Sequence, residues 1–96
     1  MENAYIKING KEIKVPKCLT FEQIVLCEEQ GLTIEGLEKK PFKSMSIILS
    51  AIEKVSLQEA IEDLNKYFEE DGNFEEIATT LFNSFASFFH KTTKTK

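Results

Sequence analysis

Ala4-Tyr5-Ile6-Lys7-Ile8-Asn9-Gly10-Lys11-Glu12-Ile13-Lys14-Val15-Pro16 reads as a β-hairpin, and the chain after it carries helical periodicity. Ile6 and Ile8 alternate with Tyr5 and Lys7, and Ile13 and Val15 alternate with Glu12 and Lys14. Asn9-Gly10 between the arms suits a type I′ turn, because both residues tolerate the positive φ it demands. A two-residue loop pairs Ile8 with Lys11, Lys7 with Glu12 and Ile6 with Ile13. Ala4, Ile6, Ile13 and Val15 then share one face, and Lys7 and Glu12 pair their charges on the other. Pro16 ends the second arm. A hairpin alone is marginal in water, so the isoleucine face must pack on helices or on a strand from a partner.

Thr20-Phe21-Glu22-Gln23 is a capping box that starts a helix, and Gly31 stops that helix after Gln30. Its apolar side is Phe21, Ile24, Val25 and Leu32. Residues 33–40 read as a polar loop or short turn. Pro41 suits the first turn of a second helix, with Phe42, Met45, Ile48, Leu49 and Ile52 at helical spacing. A second capping box, Ser56-Leu57-Gln58-Glu59, opens a third helix whose stripe is Leu57, Ala60, Ile61, Leu64, Tyr67 and Phe68. Asp71-Gly72 stops it, and Asn73 caps the last helix. The fold class expected is α+β: an N-terminal β-hairpin followed by about four α-helices. Residues 1–90 form one domain in this reading, and residues 91–96 a flexible basic tail.

Five of the eight phenylalanines lie in the last helical segment: Phe74, Phe82, Phe85, Phe88 and Phe89. On a helical projection centred on Leu81, residues Phe74, Ile77, Ala78, Phe85 and Phe88 form a core stripe. Phe82 and Phe89 fall on one flank, one above the other at a spacing of seven. Two readings follow for this flank: it packs against the hairpin or a neighbouring helix, or it is a surface for a partner or a second copy.

The chain offers little reactive chemistry. Its 96 residues hold one histidine, His90, and two cysteines, Cys18 and Cys27, at no zinc-ligand spacing. Reduced, partly buried thiols are the expectation for both, with a disulfide as the alternative. Glu28-Glu29, Glu69-Glu70 and Glu75-Glu76 are adjacent pairs that diverge on a helix rather than converge on a substrate. Setting Gly72 at the sixth position of a calcium loop puts Tyr67 first and Ala78 last, where acidic ligands are needed. An enzyme, a metal and a cofactor are therefore not expected.

A formal charge of −4 and eight carboxylates between Glu59 and Glu76 against a single Lys66 argue against binding nucleic acid. Lys91, Lys94 and Lys96 make a basic end, read as solubilising. No apolar run is long enough to span a bilayer. Met1-Glu2-Asn3 opens without the blocks of a secretory signal, so an intracellular protein is expected.

Taken in order, several segments resemble the small tail assembly chaperones of tailed bacteriophages. They are I-K-I-N-G-K-E-I (Ile6–Ile13), T-F-E-Q-I (Thr20–Ile24), E-E-Q-G-L (Glu28–Leu32), E-K-K-P-F (Glu38–Phe42), S-L-Q-E-A (Ser56–Ala60), G-N-F-E-E-I (Gly72–Ile77) and the aromatic close at Phe85–Phe89. The resemblance implies a non-enzymatic protein of the host bacterial cytoplasm. Such a protein binds the tape measure protein, keeps it soluble, helps recruit tail tube subunits and is absent from the finished particle. In that family a longer form often arises by ribosomal frameshifting. Carried onto this chain, the resemblance assigns partner binding to Phe82, Phe85, Phe88 and Phe89. The tail tube protein and further copies of the chain are secondary candidate partners. The alternative is a structural or adaptor component of a tail or head–tail connection.

Overall fold

The computed structural model describes residues 4–8 and 10–93, with side chains through Phe89. Strands β1 (Ala4–Ile8) and β2 (Lys11–Val15) form a two-stranded antiparallel sheet. Five helices follow: α1 (Phe21–Glu29), α2 (Ile34–Lys39), α3 (Pro41–Glu53), α4 (Leu57–Glu69) and α5 (Phe74–Thr93). The architecture is the α+β arrangement expected, with one helix more.

The hairpin has the expected register, Ile6 opposite Ile13, Lys7 opposite Glu12 and Ile8 opposite Lys11. Gly10 takes a φ of 79°, which the turn requires; Asn9, its partner in the expected type I′ turn, lies outside the described residues. Ile6, Ile8, Ile13 and Val15 are buried, with β1 against α4 and β2 against α5. The helices therefore cover the isoleucine face, and no third strand is needed.

Helix α3 is the centre of the molecule. It touches α1, α2, α4 and α5, and every residue from Ser44 to Ala51 is buried. The expected stripe accounted for one face; Ile47 and Ala51 complete the others. Its serines remain inside because each hydroxyl donates to a carbonyl: Ser44 to Gly36 at 2.9 Å, Ser46 to Phe42 at 2.9 Å and Ser50 to Ile47 at 2.8 Å. A buried hydroxyl so paired avoids most of its desolvation penalty.

Residues 33–40, expected as a loop or turn, fold as α2. The Thr33 hydroxyl accepts from the Gly36 N–H, and the Ser44 bond to the Gly36 carbonyl ties this short helix to α3. Six residues without an apolar stripe carry no periodic signal, so the cap and the tertiary bond decide the conformation.

Helix ends follow local rules, with two departures. Both halves of the Thr20–Gln23 capping box form, whereas Ser56 supplies the hydroxyl half of the second, accepting from the Glu59 N–H. Asn73 Oδ1 accepts from the Glu76 N–H at 2.8 Å, as expected. Helices α1, α3 and α4 each end in a left-handed residue whose successor donates back one turn: Leu32 to Cys27, Val55 to Ser50 and Gly72 to Tyr67. Only α1 uses glycine there, Gly31 at φ 93°; α3 uses Lys54 at φ 61° and α4 uses Asp71 at φ 68°. Lys54→Gly is accordingly expected to raise stability by about 1 kcal/mol, read as a higher urea midpoint at an unchanged slope. A lower midpoint would show that the Lys54 side chain contributes more than its backbone conformation costs.

Helix α5 runs through Thr93, so the chain from residue 91 to 93 continues the helix where a tail was expected. Residues 94–96, with Lys94 and Lys96, lie outside the described residues, as do the side chains of His90 and Lys91.

Candidate partner-binding surface

Four apolar positions of α5, Ile77, Ala78, Leu81 and Phe85, are enclosed in the core. Among the four phenylalanines expected to bind a partner, Phe85 is 4 % exposed and is a core residue rather than a contact surface. Phe82, Phe88 and Phe89 are half-buried, each resting on the core with part of its ring outward. Phe82 and Phe89 thus pack inward, as the first reading of the aromatic flank has it, and leave one edge outward.

The rings make a ladder from core to surface. Phe85 and Phe89 have centroids 5.1 Å apart, Phe89 and Phe88 meet edge to face at 5.5 Å, and Phe88 and Phe21 lie 6.2 Å apart. Such tilted and T-shaped contacts favour the ring quadrupoles over face-to-face stacking. Phe21 is the outermost ring, 69 % exposed. Its spacing puts it on the apolar side of α1, but Ile24 and Cys27 occupy the core there.

Ser84 explains why Phe21 stands beside Phe88. Its hydroxyl donates to the Pro16 carbonyl at 2.6 Å, and its own carbonyl accepts from the Leu19 N–H at 3.1 Å. These bonds fasten the segment between β2 and α1 along α5. The Thr20 capping box then sets the first residue of α1 next to the following turn of α5, which carries Phe88. Nothing in a lone serine on a helix announces this role; its only sequence signal is a polar residue adjoining the apolar stripe.

The cysteines are free, Cys18 half-buried and Cys27 buried. Burial pushes the Cys27 thiol up to about 11, so it is a protonated, unreactive group at neutral pH. Among the described residues, no three His, Cys, Asp or Glu side chains converge as metal ligands, and no helix is long and apolar enough to cross a membrane. Comparison with protein families, with curated proteins and with solved structures found no match for this chain.

Proposed function

We propose that the protein is a phage tail assembly chaperone that binds the tape measure protein, keeps it soluble and helps recruit tail tube subunits, without itself being an enzyme or part of the finished particle. The observation that carries this reading is the ring ladder, in which Phe21, Phe88 and Phe89 present aromatic surface beside a covered core. An exposed aromatic group held by a rigid scaffold suits the apolar stripe of a long helical client. The resemblance of the segment order to that of the tail assembly chaperones supports the same reading.

Burying Phe21 and Phe88 is worth about 1.5–3 kcal/mol each, against about 4–15 kcal/mol lost on association. The ladder therefore works with a second contact or in several copies bound along one client. Co-expression with a tape measure protein is expected to raise the soluble fraction of that client and to yield a complex on pull-down. Phe21→Ser should keep the fold, since so exposed a ring contributes little to it, while lowering client recovery several-fold. Unchanged client solubility with no complex would sink the proposal. Stoichiometric amounts of the chain in purified particles would favour a structural tail component instead.

A further inference from the structure

A second apolar surface lies on other elements. Phe42 at the start of α3 and Phe74 at the start of α5 are 65 % and 40 % exposed, with ring centroids 5.3 Å apart. Beside Phe42, a groove of about 360 Å³ runs between α3 and α4, floored by Met45, Leu64, Ile61 and Phe68. Ile61 was expected on the core stripe of α4 but is 44 % exposed here. From Gln58 to Phe68 the groove follows about 15 Å of α4, the length of nearly three helical turns. Phe74 and Phe88 stand fourteen residues apart on α5, about 21 Å along its axis, so this surface is separate from the ring ladder.

The walls and the charges narrow the occupant. Both walls are helices whose backbone groups are paired internally, so a strand would find no hydrogen-bonding edge and recognition must pass through side chains. Glu62 and Glu69 stand seven residues apart on the outer ridge of α4. Gln58 Nε2 donates to Glu62 at 3.4 Å and Asn65 Nδ2 to Glu69 at 3.5 Å. These are long bonds from neutral amides, and among the described residues neither carboxylate is in an ion pair. A second copy docked here about a two-fold axis would bring this acidic ridge against its own mate, which opposes self-association.

We infer that the α3–α4 groove is a docking site for an amphipathic helix of another chain, one that carries Lys or Arg beside its apolar stripe. Apolar side chains at i, i+3 or i+4 and i+7 enter over Ile61, Phe42 and Phe68, and the flanking cations meet Glu62 and Glu69. This site adds to the ring ladder and does not depend on the client being a tape measure protein.

The test uses two labelled synthetic helices of eighteen residues with the same leucine stripe, one flanked by lysines and one by glutamates. Fluorescence anisotropy should show the lysine peptide binding at least about tenfold more tightly than the glutamate peptide. Ile61→Asp should weaken the lysine peptide at least about tenfold, although the added negative charge would strengthen purely electrostatic attraction. Ile61→Ala and Phe42→Ser serve as milder variants, with circular dichroism confirming the fold, and Ile34→Ser, at an exposed apolar position of α2 outside both surfaces, should bind the peptide as the unaltered protein does. Equal binding of both peptides, no binding of either, or undiminished binding by the Ile61→Asp variant would each overturn the inference. So would sedimentation equilibrium showing a dimer that Ile61→Asp dissolves, since a second copy would then cover the groove. Failure on any of these counts leaves the co-expression result to decide the chaperone reading separately.

Discussion

Gly72→Ala is expected to destabilise the protein by about 2–3 kcal/mol, whereas Asp71→Gly beside it should stabilise by about 1 kcal/mol. The opposite signs come from the backbone at the end of α4. Asp71, not Gly72, takes the left-handed conformation, at φ 68°. Gly72 is needed for space: a Cβ there would run into the Tyr67 ring and stand 2.6 Å from the Tyr67 carbonyl oxygen. That carbonyl already accepts the Gly72 N–H, and it belongs to helical backbone that cannot move aside. The Tyr67 hydroxyl in turn donates to the Asn73 carbonyl and accepts from the Asn73 N–H, both at 3.1 Å, latching the start of α5 to α4. Urea unfolding of the two single variants measures both effects. A neutral Gly72→Ala would mean that the latch yields at little cost, and a destabilising Asp71→Gly would mean that the Asp71 side chain outweighs its strained backbone.

The second large effect concerns pH. Glu53, at the end of α3, has a side chain only 9 % exposed. One of its oxygens lies 3.7 Å from Lys11 Nζ on β2, and the other is buried without a hydrogen-bond partner. Burial first, then the neighbouring Asp63 carboxyl of α4, pushes Glu53 up from its ordinary 4.5 to about 7, against the pull of Lys11. The folded protein thus holds this proton where the unfolded chain has released it. Stability should be greatest below about pH 4.5 as far as this group is concerned, fall as pH rises, and level off above about pH 7. Glu53→Gln should remove that fall and leave the variant about 1–2 kcal/mol more stable at pH 8, a figure reduced for screening by the remaining solvent contact. Urea midpoints of both proteins between pH 4.5 and pH 8 give the answer. A gap that narrows as pH rises would contradict the assignment.

Much of the fold was legible because its signals are local. Asn9-Gly10 and strict alternation specify the hairpin register, and Thr20, Asn73 and Gly31 mark helix ends through their own hydrogen bonds. What escaped depends on partners far along the chain. The short helix α2 is held by Ser44, eight residues beyond its bonded Gly36. Ser84 reaches the Pro16 carbonyl across 68 residues. Phe21 and Phe42 look like core residues by spacing, but each sits at the first turn of its helix, beyond the edge of the packed interior. The proposed partner surface shows in the sequence as an aromatic concentration on α5. Its membership does not: periodicity ranks Phe85 with Phe88, and only packing separates the enclosed ring from the accessible one.

The stretch of helix α3 from Ser44 to Ala51 is buried throughout, so none of the helices packed on it can swing away without uncovering it. Peeling off one flank to admit a guest would open the whole interior to water. The body is therefore expected to behave as a solid block, so a guest of the kind proposed would have to conform to a shape already set.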